Sequence, residues 1–206
     1  MPRYFLNNIY YFVTVPTLNR RPFFIHKEPK QFLLNKLKEI LNKFEITDYD
    51  FAIMNNHYHF IGYFQQGNLI PQILKKVNGP SAIFTNKYLD RSSGIWGDYH
   101  IYIASTEQIY ERIRGYVIGN PLKHKEVNSL SSLEQYPFSS FMKLVNEFGR
   151  EYVEELVNSV ISMDEDQYFN FTTGMNSLRR EQDGNHVPNH RRYGAGKFPE
   201  KETRRE

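Results

Sequence analysis

The chain has 206 residues, enough for one domain with an appendage or for two small domains, which excludes a repeat array and a large multidomain enzyme. Hydrophobic residues make up 40% and charged residues 24% of it, a globular composition that excludes a disordered chain. The net charge of +3 permits a polyanionic partner without requiring one. Because the chain has no cysteine, disulfides, thiol nucleophiles and cysteine-ligated zinc are excluded.

The sequence gives no sign of a membrane segment. Its apolar runs all fall short of the ~20 residues that a membrane-spanning helix requires. The opening MPRYFLNN lacks the charged-then-apolar layout of a signal peptide. We therefore expect a soluble protein in the cytoplasm.

Predicted strands and helices alternate along the chain. Runs of β-branched and aromatic residues predict strands at Ile9–Val15, Tyr49–Met54, Tyr58–Phe64 and Trp96–Ile103. Apolar residues three and four apart predict helices at Pro29–Phe44, at Leu69–Leu89, and from a capping box of Ser105 and Gln108 to Asn120-Pro121. We expect Gly79-Pro80 to break or kink the second helix. A last helical stretch is predicted from Phe141 to Ile161.

The order β-α-β-β-α-β-α predicts an α+β fold. It is typical of the ferredoxin-like split βαβ unit, an antiparallel sheet with helices on one face, followed here by an extra helix. Residues 1–145 then form the main domain, and residues 146–173 a helical extension. Residues 174–206 contain eight Lys or Arg against five acids and few large apolar residues, so we expect a flexible basic tail.

The sharpest local motif is His57-Tyr58-His59, near the start of the third predicted strand. Alternate residues of a strand point to the same face, so both imidazoles should lie side by side. Two adjacent nitrogen donors are half of a metal site. Histidines beside a hairpin turn are also common as surface or packing residues, and the motif alone leaves that interpretation open.

Tyr116 and Asn120 lie four residues apart near the end of the third predicted helix, which places them on one helix face. Each also has a structural interpretation. Asn120 before Pro121 can simply end the helix, and Tyr116 can pack in line with Ile109 and Ile113.

Taken together, these motifs resemble a known family. NNHYHF is similar to the Asn-His-hydrophobe-His signature of the single-tyrosine HUH transposases, and GYVIGNPLKHKEV to their Tyr-x-x-x-Asn-Pro helix. The opening IYYFVTVPTLNRRPFF, Gly94-Ile95-Trp96 and QYPFSSF resemble the REP-associated tyrosine transposases in particular. The resemblance spans roughly residues 3–145. Asn55 stands where many members carry proline, and residues 146–206 show no resemblance.

The resemblance implies a role for each motif. Tyr116 would attack a DNA phosphodiester and hold the cut 5′ end as a phosphotyrosine, which frees a 3′ hydroxyl. His57, His59 and Asn120 would hold one divalent ion, Mg²⁺ or Mn²⁺, that polarises the phosphate. Zinc is also compatible with these ligands.

The implied partner is single-stranded DNA with a hairpin, such as a REP-like palindrome, cut and rejoined by a protein that acts as a monomer or homodimer. Backbone contacts could come from six basic residues: Arg20, Arg21, Lys75, Lys76, Lys123 and Lys125. For each of them a solvated surface charge is the plain alternative.

Two other functions fit the same residues. One is a catalytically silent nucleic-acid-binding module on this fold. The other is a metallohydrolase unrelated to DNA, which would use the histidines and a bound water and would not need Tyr116. For the transposase interpretation, Tyr102 and Tyr110 are the alternative nucleophiles to Tyr116.

Overall fold

The computed structural model describes residues 5–161 and shows an antiparallel four-stranded sheet in the order β2-β3-β1-β4. The strands are β1 (Ile9–Pro16), β2 (Tyr49–Ile53), β3 (His57–Phe64) and β4 (His100–Ala104). The helices are α1 (Lys27–Lys43), α2 (Ile70–Tyr88), α3 (Glu107–Lys123), α4 (Leu130–Glu134), α5 (Phe141–Phe148) and α6 (Arg150–Ile161). This is the predicted α+β split βαβ arrangement. The predicted basic tail lies outside the described residues.

The sheet is the middle of three layers, because alternate residues of its strands point to opposite faces. Val13 and Phe60 pack with α1 and α2 on one face. Phe12 and Ile61 pack with α3 on the other face. The two helices of the split βαβ unit thus share a face, as predicted, while the extra helix covers the opposite one. None of the described helices is long and apolar enough to cross a membrane.

Helix α2 continues through Pro80, so the expected break is wrong. Proline removes one backbone donor from a helix. Side chains bond the turn beside it: the Trp96 indole N–H and the Ser81 hydroxyl both donate to the Asn78 carbonyl, each at 3.0 Å. The same Trp96 stacks on Phe24 with ring centroids 4.9 Å apart. Trp96 therefore serves packing, and β4 begins at His100, later than predicted.

Helix α3 differs from its prediction at both ends. Its N-cap is Thr106, whose side chain accepts the Ile109 N–H, and not Ser105. The helix passes through Asn120-Pro121 and ends at Lys123. The predicted stretch from Phe141 to Ile161 is two helices, because Gly149 takes a left-handed φ of 89° between them.

Helix α6 packs against α3 at unusually close range. A Cβ at Gly115 would lie 2.6 Å from the Leu156 carbonyl oxygen, and one at Gly119 would lie 2.8 Å from the Val157 Cγ1 atom. Only glycine permits this approach. Two glycines four residues apart therefore fix the position of α3 beside α6.

We expect Gly115→Ala to lower the free energy of unfolding by about 1–3 kcal/mol, because the added methyl meets a backbone oxygen that cannot turn away. Urea denaturation measures the change. Gly79→Ala is the matched control, since no atom lies within 4 Å of its added Cβ. If the two variants unfold at the same urea concentration, the close α3–α6 contact does not limit stability.

Candidate active site

Strand β3 places His57 and His59 on the face of the sheet that α3 covers. Their ring centroids lie 4.6 Å apart, and each side chain is only 3% exposed. Tyr58, between them, packs in the core on the other face. The shared face predicted from the H-x-H spacing is therefore present, and it is buried beneath α3.

His57 has an amide oxygen at each of its ring nitrogens. Its Nδ1 atom lies 2.6 Å from the Asn56 Oδ1 atom, and its Nε2 atom 3.0 Å from the Asn120 Oδ1 atom. The Asn56 amide is held in that orientation because its Nδ2 atom donates to the Arg20 carbonyl at 3.3 Å. Burial, and then the neighbouring His124, lower the pKa of His57 to about 3, so its ring is neutral at pH 7. A neutral ring has one N–H. When Nδ1 donates to Asn56, the Nε2 lone pair faces the oxygen of Asn120.

His59 is held by Thr14, its partner on β1. The Thr14 hydroxyl lies 2.9 Å from the His59 Nδ1 atom, while the Nε2 atom is buried and has no hydrogen-bond partner among the described residues. Burial and the nearby His57 and His124 lower the pKa of His59 well below its ordinary value. A buried imidazole nitrogen without a partner is costly unless a ligand completes it.

Tyr116 and Asn120 face these histidines from α3. The ring of Tyr116 lies 5.5 Å from that of His59, and its side chain is 8% exposed. Asn120 is completely buried, and α3 continues beyond it to Lys123, so it does not end the helix.

The two alternative nucleophiles are also partly or fully buried, and burial raises the pKa of both Tyr102 and Tyr110. Tyr110 packs on Tyr10 at 4.3 Å between ring centroids.

A divalent cation fits the donors at this position. Among residues 5–161 no cluster of three or more His, Cys, Asp or Glu is suited to a metal, so an ion held by the two histidines would take its third donor from the Asn120 amide. The His57 Nε2 atom lies 3.0 Å from the Asn120 Oδ1 atom, and the ring of His59, with its unpaired Nε2 atom, lies 4.6 Å from that of His57. Turning the Asn120 amide over would give His57 a hydrogen bond without a metal, but it would still leave the His59 Nε2 atom unpaired. The donor set therefore suits an ion held by nitrogen and oxygen.

Comparison with known families identifies the fold and the motifs together. The sequence profile of the family described as "Transposase IS200 like" matches residues 5–120, more than half of the chain. The chain belongs to this family. The matched region includes β1 to β4, the His57-Tyr58-His59 motif and α3 as far as Asn120. The family predicted from the sequence is confirmed.

One solved structure supports the fold, and a second is less similar to it. A REP-associated tyrosine transposase bound to a REP hairpin is 20% identical, with a TM-score of 0.55 over 71% of this chain and 84% of that one. A putative transposase from Deinococcus radiodurans R1 is 17% identical, with a TM-score of 0.40 over 57% of this chain and 94% of that one. No curated protein sequence matches the chain. The first likeness supports the split βαβ architecture of a transposase.

The six basic residues predicted as DNA contacts lie on different faces of the structure. Arg20 and Lys123 lie beside the site: the Arg20 carbonyl accepts from the Asn56 amide at 3.3 Å, and the Lys123 ammonium lies 4.9 Å from the centre of the Tyr116 ring. Arg21 and Lys125 are exposed and lie within two residues of Arg20 and Lys123 in the sequence. Lys75 and Lys76 are exposed on α2, which covers the other face of the sheet. Those two lysines are therefore not part of the candidate site.

A buried ion pair supports the turn before His57, and sequence patterns gave no hint of it. The Lys30 ammonium, from α1, lies 2.9 Å from the Glu126 Oε2 atom, the Asn55 Oδ1 atom and the Tyr136 hydroxyl. Glu126 in turn accepts the Asn55 backbone N–H. The Tyr136 hydroxyl donates to the Ile53 carbonyl at 2.7 Å. The network joins α1, the β2–β3 turn and the segment after α3.

Three other neighbours of the site were also missed. Asn56 and Thr14 orient the two histidine rings, and the ring of His124 lies 4.8 Å from that of His57. His124 is the C-cap of α3, so its place beside His57 depends on the helix continuing through Pro121, which the sequence did not predict. Thr14 was visible as a polar residue within the apolar run IYYFVTV, but only the strand register pairs it with His59.

Lys30→Met should lower the free energy of unfolding by about 3–5 kcal/mol, because it leaves the Glu126 carboxylate buried without its partner. The double variant Lys30→Met with Glu126→Leu should recover part of that loss, since no charge remains buried. Urea denaturation of the single and double variants measures the coupling between them. Additive losses in the double variant would contradict a coupled buried pair.

Proposed function

We propose that this protein is a single-strand DNA endonuclease and strand transferase whose nucleophile is Tyr116. The observation that carries the proposal is the position of Tyr116. Its ring lies 5.5 Å from the ring of His59, in a buried site where a second histidine and an amide oxygen converge. A phenol beside a divalent-ion site is suited to attack on a phosphodiester. A metallohydrolase acting through bound water would need no phenol there.

The proposed step conserves the energy of the broken bond. The Tyr116 hydroxyl oxygen forms a bond to phosphorus while the bond between phosphorus and the 3′ oxygen breaks. The phenolic proton leaves to solvent, and the departing 3′ oxygen takes up a proton. The 5′ end stays attached as a phosphotyrosine, and the free 3′ hydroxyl can later attack it to rejoin the strand.

His57, His59 and Asn120 would hold the metal, Mg²⁺ or Mn²⁺ by the sequence resemblance. When bound, the ion would polarise the scissile phosphate and stabilise the charge that develops on its oxygens. The chain prepares the ligands for this role. Asn56 and Thr14 each bond the Nδ1 atom of one histidine, which leaves the His57 Nε2 atom beside Asn120 and the His59 Nε2 atom without a protein partner among the described residues. Neutral rings keep those lone pairs available.

The electrostatics of the site favour an anionic substrate. Besides the other histidines, the charged groups that act most strongly on His57 and His59 are Arg20, Lys30 and Lys123, all of them cations. A phosphodiester would be attracted to this surface. The related structure bound to a REP hairpin supports hairpin DNA as the substrate class. Cleavage beside a REP-like palindrome is therefore the proposed reaction, and a silent binding module is its competitor.

Tyr116→Phe should abolish cleavage of a single-stranded hairpin and leave its affinity nearly unchanged, because only the nucleophilic oxygen is removed. A labelled oligonucleotide and a denaturing gel detect the covalent protein–DNA adduct. Tyr88→Phe, at an exposed tyrosine on α2, is the control and should form the adduct normally. An adduct in Tyr116→Phe would refute the assignment, and no adduct in the wild type would indicate a silent binding module.

Removal of either histidine tests the metal site. His57→Ala and His59→Ala should each slow cleavage at least ~100-fold, since a lost ligand removes most of the charge stabilisation. Asn120→Ala should be milder, because water can replace a neutral amide. His26→Ala, at the exposed N-cap of α1, is the control. Calorimetric titration with Mn²⁺ provides a readout independent of activity, and undiminished cleavage in excess EDTA would exclude a metal requirement.

A further inference from the structure

Lys123 stands over the proposed nucleophile. Its ammonium nitrogen lies 4.9 Å from the centroid of the Tyr116 ring, within the range of a cation–π contact. Its side chain is half-buried, whereas the neighbouring Lys125 is exposed beyond the end of α3. The two lysines therefore stand in different environments, although sequence alone treats both as DNA-backbone contacts.

The face of α3 explains this placement. Tyr116, Asn120 and Lys123 are spaced by four and three residues, so all three lie on one side of the helix. That side meets the sheet face with His57 and His59.

We propose that Lys123 is a positioning residue for the nucleophile, and this inference rests on the proposed function. Its ammonium holds the Tyr116 ring against the ring of His59. Lys123 stays protonated and transfers no proton. The bond from the Tyr116 oxygen to phosphorus forms as before, and the bond to the 3′ oxygen breaks. The role differs from a simple backbone contact because it acts on the rate of attack.

The rate of the first covalent step separates the two roles. Lys123→Met keeps the length of the side chain and removes its charge, so adduct formation at saturating hairpin DNA should slow by about 10–30-fold. Lys123→Arg should restore most of the rate, because a guanidinium also stacks on an aromatic ring. Lys43→Met, at the exposed end of α1 beyond the other end of the sheet, is the control and should react at the wild-type rate.

DNA affinity and its salt dependence are measured on the same variants by fluorescence anisotropy, and thermal unfolding checks that each is folded. A positioning role leaves the affinity of Lys123→Met within about two-fold of the wild type. Weaker binding with a flatter salt dependence and an unchanged rate at saturation would overturn the proposal in favour of a backbone contact. An unchanged rate and affinity would overturn it as well. If Tyr116→Phe still forms the adduct, the proposed function itself fails, whatever Lys123 does.

Discussion

The candidate site depends on the packing of α3 against one face of the sheet. Strand alternation puts both histidines on that face, and helix periodicity puts Tyr116 and Asn120 on the side of α3 that meets them. Neither element forms the site alone. His57 and His59 supply nitrogen donors without a nucleophile, while α3 supplies the phenol and an amide oxygen. A small rotation of α3 about its axis would separate the two sets, so whatever fixes that rotation also fixes the chemistry.

Burial and positive charge keep the two histidines uncharged, and the positive charge also favours a negatively charged substrate. Both lower the pKa of His57 and His59, which keeps the rings neutral and their lone pairs available. Positive charge beside the rings, that of Arg20 for example, also attracts a phosphate. A surface carboxylate in its place would raise the pKa of the histidines and repel the substrate. The arrangement thus favours ligands that are uncharged and a substrate that is anionic.

Local sequence patterns predicted the succession of strands and helices along the chain, the α+β class and the shared face of His57 and His59, because those features follow from residue periodicity. The end of α3 was misjudged at Asn120-Pro121, where tertiary burial of Asn120 outweighs the usual helix-ending preference. The supports of the site were not predictable in the same way. Thr14 contacts His59 across a strand pair, and Lys30 contacts Glu126 over 96 positions of sequence. Contacts of that range depend on the fold as a whole.

The close packing of α6 explains how α3 keeps its orientation. Gly115 and Gly119 let α6 approach so near that a methyl group would collide with it, and they lie next to Tyr116 and Asn120 in sequence. One side of α3 is therefore fixed by backbone contact, and the adjacent side is directed at the histidines. The segment after α3 adds a second restraint, since Glu126 ties it to Lys30 and to the turn before His57. The helix that carries Tyr116 is thus held on one side and at its C-terminal end. Together the two restraints keep Tyr116 and Asn120 against the histidines.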